Sequence, residues 1–174
     1  MVRKIVKTKD PRLREVSKPV AKIDKKILNL IGDLKETLII QKDPEGVGLA
    51  APQLGKNLRI FVMKTNGKVK EVINPEIINV SESKERRAKS EDKIMEGCLS
   101  LPHYYGPLKR AGRVRLKYKT AEGEEKEEEF RGFDAQLVLH EVDHLDGILF
   151  IDRLLEQRKG LYKQEGEEWV EVDI

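Results

Sequence analysis

Leu139-His140-Glu141-Val142-Asp143-His144-Leu145 carries the pattern HExxH. On an α-helix, positions four apart lie roughly 40° from each other around the axis, so His140 and His144 stack on one face. Two imidazoles so placed can ligate one metal ion, and a glutamate beside the first can reach a water on that ion. Two of the chain's three histidines fall at this spacing. Leu137, Val138, Val142 and Leu145 give the segment apolar surface beyond the histidine face, which predicts a buried central helix. Asp134 stands at an N-cap position, and Asp146-Gly147 ends the helix. Two ligands leave a site incomplete. Without a third from elsewhere, the pair is an i,i+4 coincidence on a solvated helix.

Upstream, the chain's single cysteine falls in Glu96-Gly97-Cys98-Leu99-Ser100-Leu101-Pro102, 42 residues before His140. A thiolate is a good ligand for zinc or iron(II), whereas a lone cysteine elsewhere is a small buried hydrophobe. One cysteine excludes an intramolecular disulfide and fits a reducing compartment. Further upstream lies Gly46-Val47-Gly48-Leu49-Ala50-Ala51-Pro52-Gln53. Its glycines let another chain come close to the backbone, and Gln53 brings an amide able to donate or accept. The third glycine of a dinucleotide fingerprint is missing, so the stretch reads as a tight loop.

The remaining segments read as supports. Asp10 caps a short element that begins at Pro11. Over residues 24–41, Ile27, Leu28, Leu30, Ile31, Leu34, Leu38 and Ile39 recur at helical spacing behind Asp24, which predicts an amphipathic helix with a capping aspartate. Residues 58–63 read as a strand, with a hairpin turn at Asn66-Gly67 and a return strand that Asn74-Pro75 breaks before extended chain resumes. Residues 82–93 read as an exposed polar stretch. Tyr104-Tyr105-Gly106-Pro107 reads as a loop. Val114, Leu116 and Tyr118 alternate with Arg113, Arg115, Lys117 and Lys119, a half-buried strand whose cations face the acidic return strand at residues 125–131. Ile148 to Ile151 reads as a buried segment. The last residues thin into charge, with Trp169-Val170 as a late strand.

Composition bounds the rest. At 174 residues with 39% hydrophobic residues, the chain is expected to form one domain over residues 1–174, ending in a charged tail from 154 to 174. The net charge of +3 is too small to imply nucleic-acid binding. Residues 1–42 hold twelve basic and five acidic side chains, but such runs are ordinarily solvated faces. No stretch approaches the roughly 20 apolar residues of a membrane span, nor the apolar run of a signal peptide.

Residues 46–53 as GxGxAAxQ, 96–100 as EGCLS and 140–147 as HExDHLxG together resemble the three motifs of the peptide deformylases, in that family's order and with similar spacing. The resemblance runs from about residue 3 to Arg153 and includes Asp10-Pro11, Leu13-Arg14 and Pro19-Val20. It implies an α+β, peptide deformylase-like fold, with antiparallel or mixed β-sheets packed around a central HExxH helix and an N-terminal amphipathic helix. It implies that Cys98, His140 and His144 ligate one divalent metal, leaving a position for the attacking water. Iron(II) is the expected native ion, with zinc, nickel or cobalt in purified protein. Glu141 is the expected general base and acid, and the Gln53 amide with the Leu99 backbone N–H the expected oxyanion donors. The implied substrate is a nascent polypeptide beginning with N-formylmethionine, which would yield formate and a free amine. Backbone at Gly46, Val47, Gly48 and Gly97 would pair with it as an added strand. Val47, Phe133, Leu137 and the His140 ring would line the methionine pocket.

Arg110 matches an arginine common in the family, for which a structural role is expected. The implied setting is the cytoplasm near the ribosome, with no DNA and no membrane partner. Leu139 and Gln136 depart from the family's usual Gln and Arg, so hydrogen bonding around the helix should differ. The short acidic end argues against a basic helix that docks on ribosomal RNA. Two rivals share parts of the pattern. A zinc metalloprotease would take a ligand downstream, Glu156 or less favourably Glu165, and a structural metal site would take His103 as its fourth ligand.

Overall fold

The computed structural model describes residues 1–82 and 94–174, so the polar stretch at 82–93 lies, apart from the exposed Glu82, outside the described residues. The chain opens with a 3-10 turn at Pro11–Arg14, capped by the Asp10 carboxylate on the Arg12 amide. Helix α1 (Lys25–Ile39) follows, with the Asp24 side chain accepting from the Ile27 amide at its N-terminus. Strand β1 (Gly48–Ala50) leads into a second 3-10 turn, Ala51–Leu54. Strands β2 (Ile60–Thr65) and β3 (Lys68–Ser81) form a hairpin. Its turn, Asn66-Gly67, holds φ of 50° and 72°, the two positive angles that a tight hairpin turn requires.

Next come β4 (Glu96–Cys98), β5 (Leu101–Gly106), β6 (Arg113–Lys119) and β7 (Glu125–Arg131). Helices α2 (Phe133–Leu145) and α3 (Phe150–Glu156) precede a final hairpin, β8 (Leu161–Glu165) and β9 (Glu168–Val172). The strands build a five-stranded sheet in the order β1-β2-β3-β6-β7 and a four-stranded sheet in the order β4-β5-β8-β9, each antiparallel throughout.

The five-stranded sheet is covered on both faces, which explains why β2 is an unbroken apolar run. Ile60, Phe61, Val62 and Met63 are all fully buried. Phe61 and Met63 join Val114, Leu116 and Tyr118 against Leu137, Val138, Val142 and Leu145 of α2. Ile60 and Val62 face the other way, onto Ile27, Ile31, Leu34 and Leu38 of α1. A third cluster, Leu108, Phe150, Leu154 and Leu161, ties α3 to the smaller sheet. Helix α2 is thus the central element, with its apolar face on one sheet. As expected, the β6 cations meet β7 acids: Arg115 Nε lies 2.5 Å from Glu127 and Arg113 Nε 2.9 Å from Glu129.

Several local expectations are overturned. Residues 46–53 are not a plain loop, since Gly48 to Ala50 pair with β2. Asn74-Pro75 does not break β3. The strand passes through with an irregularity between Ile73 and Glu76, because Asn74, at φ 50°, exchanges hydrogen bonds of 2.8 and 2.9 Å with the Val20 backbone. Tyr104 and Tyr105 lie in β5 rather than a loop. Asp134 is not the N-cap of α2, which is Gly132; it sits in the first turn and accepts from Thr65 Oγ1 at 2.7 Å. The segment after Gly147 is buried at Leu149 and Phe150 as expected, but Phe150 opens α3 rather than continuing an extended run. The charged tail is more ordered than a thinning end: it folds as β8 and β9, the latter holding the late strand expected at Trp169-Val170, and extends the smaller sheet.

Gly147 ends the motif helix region at φ 73°, and a Cβ there would lie 2.5 Å from the Arg14 carbonyl oxygen. Left-handed strain and a backbone clash add, so Gly147→Ala should cost about 2–4 kcal/mol. For a chain of this size that is a fall in Tm of roughly 5–10 °C, readable by thermal unfolding.

Candidate metal centre

Three elements converge at one end of α2. The helix presents His140, Glu141 and His144, β4 presents Cys98, and the 3-10 turn after β1 presents Gln53. The donor atoms of Cys98, His140 and His144 all lie within 4.8 Å of one another. Cys98 Sγ is 3.3 Å from His144 Nε2, and the two imidazoles meet edge-on with centroids 4.9 Å apart. Both histidines are buried.

His140 Nδ1 lies 2.6 Å from Glu96 Oε1. A carboxylate only accepts, so Nδ1 carries the proton and Nε2 is left with its lone pair for a ligand bond. Glu96 also accepts from Arg110 Nε and Nη2, both at 2.8 Å, and from Gln136 Nε2 at 3.0 Å. Arg110 Nη1 reaches Asp143 at 2.9 Å, and Arg153 closes on the same Asp143 with bonds of 3.1 and 2.9 Å. Glu96, Arg110 and Asp143 are buried. Burial alone would raise the Glu96 carboxyl, yet its bonds from Arg110 and His140 hold it far below the usual carboxylate range. Arg110 therefore has the structural role expected of it. Glu96 and Asp143 belong to the EGCLS and HExDHLxG motifs, but their supporting role needs Arg110, which no local pattern places between them.

Electrostatics at the centre follow the same contest. Burial would raise the Cys98 thiol, but the charge of His144 and contacts with both histidines bring it well below its ordinary value. Burial pushes the Glu141 carboxyl up to about 7, against the pull of His140 and His144. Among the described residues, His144 Nδ1 and Glu141 Oε2 are buried with no hydrogen-bond partner. A soft thiolate, two imidazoles and a carboxylate with one unpartnered oxygen beside them fit a divalent ion of the zinc or iron(II) class.

Gln53 is held by both ends of its amide. Oε1 accepts from the Ala50 amide at 2.9 Å, which turns Nε2 toward Ser100 Oγ at 3.1 Å and Cys98 Sγ at 3.5 Å. A cavity of about 190 Å³ opens over the centre. Val47, Gly48, Gly97, Leu99, Phe133 and Leu137 border it, together with Gln53, Cys98, His140 and Glu141. Gly46 does not. Its amide donates to the Gln41 carbonyl, and a Cβ there would lie 2.8 Å from Leu38, so it serves the packing of α1. Gly48 is different, because a side chain there would strike the Glu141 carboxylate and lie 2.7 Å from Leu137 Cδ1.

The rivals' ligands lie elsewhere. Glu156 pairs with Arg153 at 3.1 Å and Glu165 with Lys163 at 3.5 Å, both on exposed surface. His103 is at the cavity rim, 3.9 Å from Asp43, outside the cluster of donor atoms.

A Cys/His/His centre with a buried glutamate, on a helix packed between antiparallel sheets, defines a metal-dependent hydrolase of the HExxH type. The family model for polypeptide deformylases matches residues 2–160. Peptide deformylase from Pseudothermotoga lettingae is 45% identical over 159 residues, covering 91% of this chain and 86% of that protein. The Dictyoglomus thermophilum peptide deformylase is 43% identical over 157 residues, with 90% and 95% covered. The crystal structure of the Thermotoga maritima peptide deformylase superposes with a TM-score of 0.78 at 38% identity, covering 88% of this chain and 97% of that one. The chain belongs to the polypeptide deformylase family.

Proposed function

We propose that this protein hydrolyses the N-formyl group of formylmethionyl nascent polypeptides in the cytoplasm, in one catalytic domain, with iron(II) as its native ion and zinc, nickel or cobalt as substitutes. The observation that carries this reading is the centre made by Cys98, His140 and His144 with Glu141 buried beside it. When bound, a divalent ion supplies Lewis acidity, which makes hydroxide available near neutral pH and polarises a carbonyl.

The chain's own groups do the rest. Glu141 takes a proton from the attacking water and later delivers it to the departing amine nitrogen. The water oxygen bonds to the formyl carbon, the C–N bond breaks, and formate and a free α-amine leave. Gln53 Nε2 and the Leu99 backbone N–H donate to the oxyanion that develops on the formyl oxygen. The Ala50 amide on Gln53 Oε1 fixes that donor's direction in advance. Val47, Phe133, Leu137 and the face of His140 receive the methionine side chain. The outer edges of β1 and β4, near Gly48 and Gly97, bind the peptide by main-chain bonds, which suits many sequences. Ribosome proximity follows from the substrate.

Protein loaded with iron(II) or nickel(II) should release formate from formyl-Met-Ala-Ser under anaerobic conditions. Chelation should stop the reaction and cobalt(II) should restore it. No formate from the loaded protein, or activity that survives Cys98→Ala, would end this reading. Glu96→Gln should weaken metal binding by roughly 10–100-fold, because the carboxylate that orients His140 is lost. Competition with a chelator of known affinity measures it, and an unchanged affinity would remove Glu96 from the site.

A further inference from the structure

We propose that Tyr105 and Trp169 form an aromatic platform on the cleft wall, which receives an apolar side chain within two residues of the formylated methionine. The proposal rests on the deformylase reading and adds to it a determinant of substrate sequence.

The register puts the pair on one face of the smaller sheet. Gly97 lies opposite Tyr105, Tyr105 opposite Tyr162, and Gln164 opposite Trp169. Side chains opposite each other across antiparallel strands share a face, as do residues two apart on one strand. Tyr105 and Trp169 meet edge to face, with centroids 5.2 Å apart and planes at 87°. Tyr104 takes the opposite face, in the cluster with Phe150 and Leu154.

The face bearing Tyr105 reaches the cleft, since Tyr105 and Gly97 both border the cavity at the β4 edge, where Glu96 and Cys98 of the other face also meet it. The Tyr105 ring fills the place of a Gly97 side chain, and a Cβ there would lie 2.6 Å from its Cδ1 and Cε1. Gly97 adjoins Cys98 on β4, which is an edge strand among the described residues. An extended peptide advances about 3.3 Å per residue. With its formyl group at the metal centre and its backbone along β4, the residues after methionine therefore pass the ring over Gly97.

Trp169 is the unexpected member. It lies in β9, beyond residue 160 where the family match ends, and its side of the hairpin is open to solvent. It is 46% exposed although it is the chain's one tryptophan and touches an aromatic neighbour. Phe133, 51% exposed, borders the same cavity from α2. Trp169 does not itself border the cavity; its indole packs on Tyr105, which does, and so extends that wall outward beside the route of the peptide.

The test uses the metal-loaded protein with formyl-Met-Leu-Phe and formyl-Met-Ala-Ser, and the product peptide Met-Leu-Phe as a binding probe. Trp169 emission should shift on adding Met-Leu-Phe and respond less to Met-Ala-Ser. Wild type should favour formyl-Met-Leu-Phe, and Trp169→Ala should cut the ratio of the two kcat/KM values about fivefold, mainly through KM. Trp169→Phe should retain most of that ratio. A ratio that Trp169→Ala leaves unchanged overturns the proposal, as does an equal loss on both peptides, which marks a support for the fold only. No formate from either peptide with wild type ends the deformylase reading instead. The emission titration then decides the platform by itself, a silent Trp169 overturning it.

Discussion

Glu141→Gln should lower formate release from formyl-Met-Ala-Ser by roughly 10²–10⁴-fold while the protein keeps its metal. The substitution preserves shape and a hydrogen-bonding oxygen but removes the group that takes up and returns the proton. Cys98, His140 and His144 stay in place, so metal content and Tm should change little. The site is built around this carboxylate. Burial pushes it up to about 7, Oε2 has no partner among the described residues, and only a glycine at position 48 leaves it room. Gly48→Ala should therefore impair turnover as well, by displacing Glu141 and Leu137. Metal content separates this from Cys98→Ala, which should lose the ion and the activity together. A Glu141→Gln protein that retains metal and more than a tenth of the wild-type rate would place the proton transfer on another group.

The central helix and its chemistry were legible because local rules suffice for them. Four-residue spacing put His140 and His144 on one face, and the apolar residues around them required burial. Asp24 announced α1, and Asn66-Gly67 announced the hairpin, each through a single backbone demand. Cys98 and Gln53 entered through the resemblance of three separated motifs, since nothing local says that they meet the helix.

What stayed hidden depends on pairing at a distance. Glu96 and Asp143 stand inside two of the motifs, but their role is hidden until Arg110 is seen between them, 14 residues from one and 33 from the other. Asn74-Pro75 looks like a stop, but the Val20 backbone satisfies the asparagine and the strand continues. Tyr104-Tyr105 next to Gly106-Pro107 looks like a loop, because one ring serves the α3 cluster and the other the cleft. Strands β8 and β9 carry charge on both faces. Of the ten residues in them only Leu161 is buried, so beyond the late strand at Trp169-Val170 hydrophobic alternation had little to mark.

Arg110→Met should be the most destabilising single change in the chain's polar interior, at about 3–5 kcal/mol. The guanidinium reaches Glu96 with two bonds of 2.8 Å and Asp143 with one of 2.9 Å, and all three groups are out of water. Methionine fills much of the volume, so the loss is chiefly that of a charge shared by two buried carboxylates. Asp143 keeps Arg153, whereas Glu96 keeps only Gln136 and the ligand His140. The stranded Glu96 should then draw protons or water toward the metal centre and weaken the hold on the His140 ring. For 174 residues, that cost corresponds to a fall in Tm of roughly 10 °C. Arg110→Lys should recover only part of it, since an ammonium cannot make the paired bonds of the planar fork. Lys35, on a more exposed pair with Glu71, gives the contrast, and Lys35→Met should cost about 1 kcal/mol or less. Equal Tm shifts for Arg110→Met and Lys35→Met would show that Gln136 and Arg153 hold the carboxylates unaided and that Arg110 is dispensable to the centre.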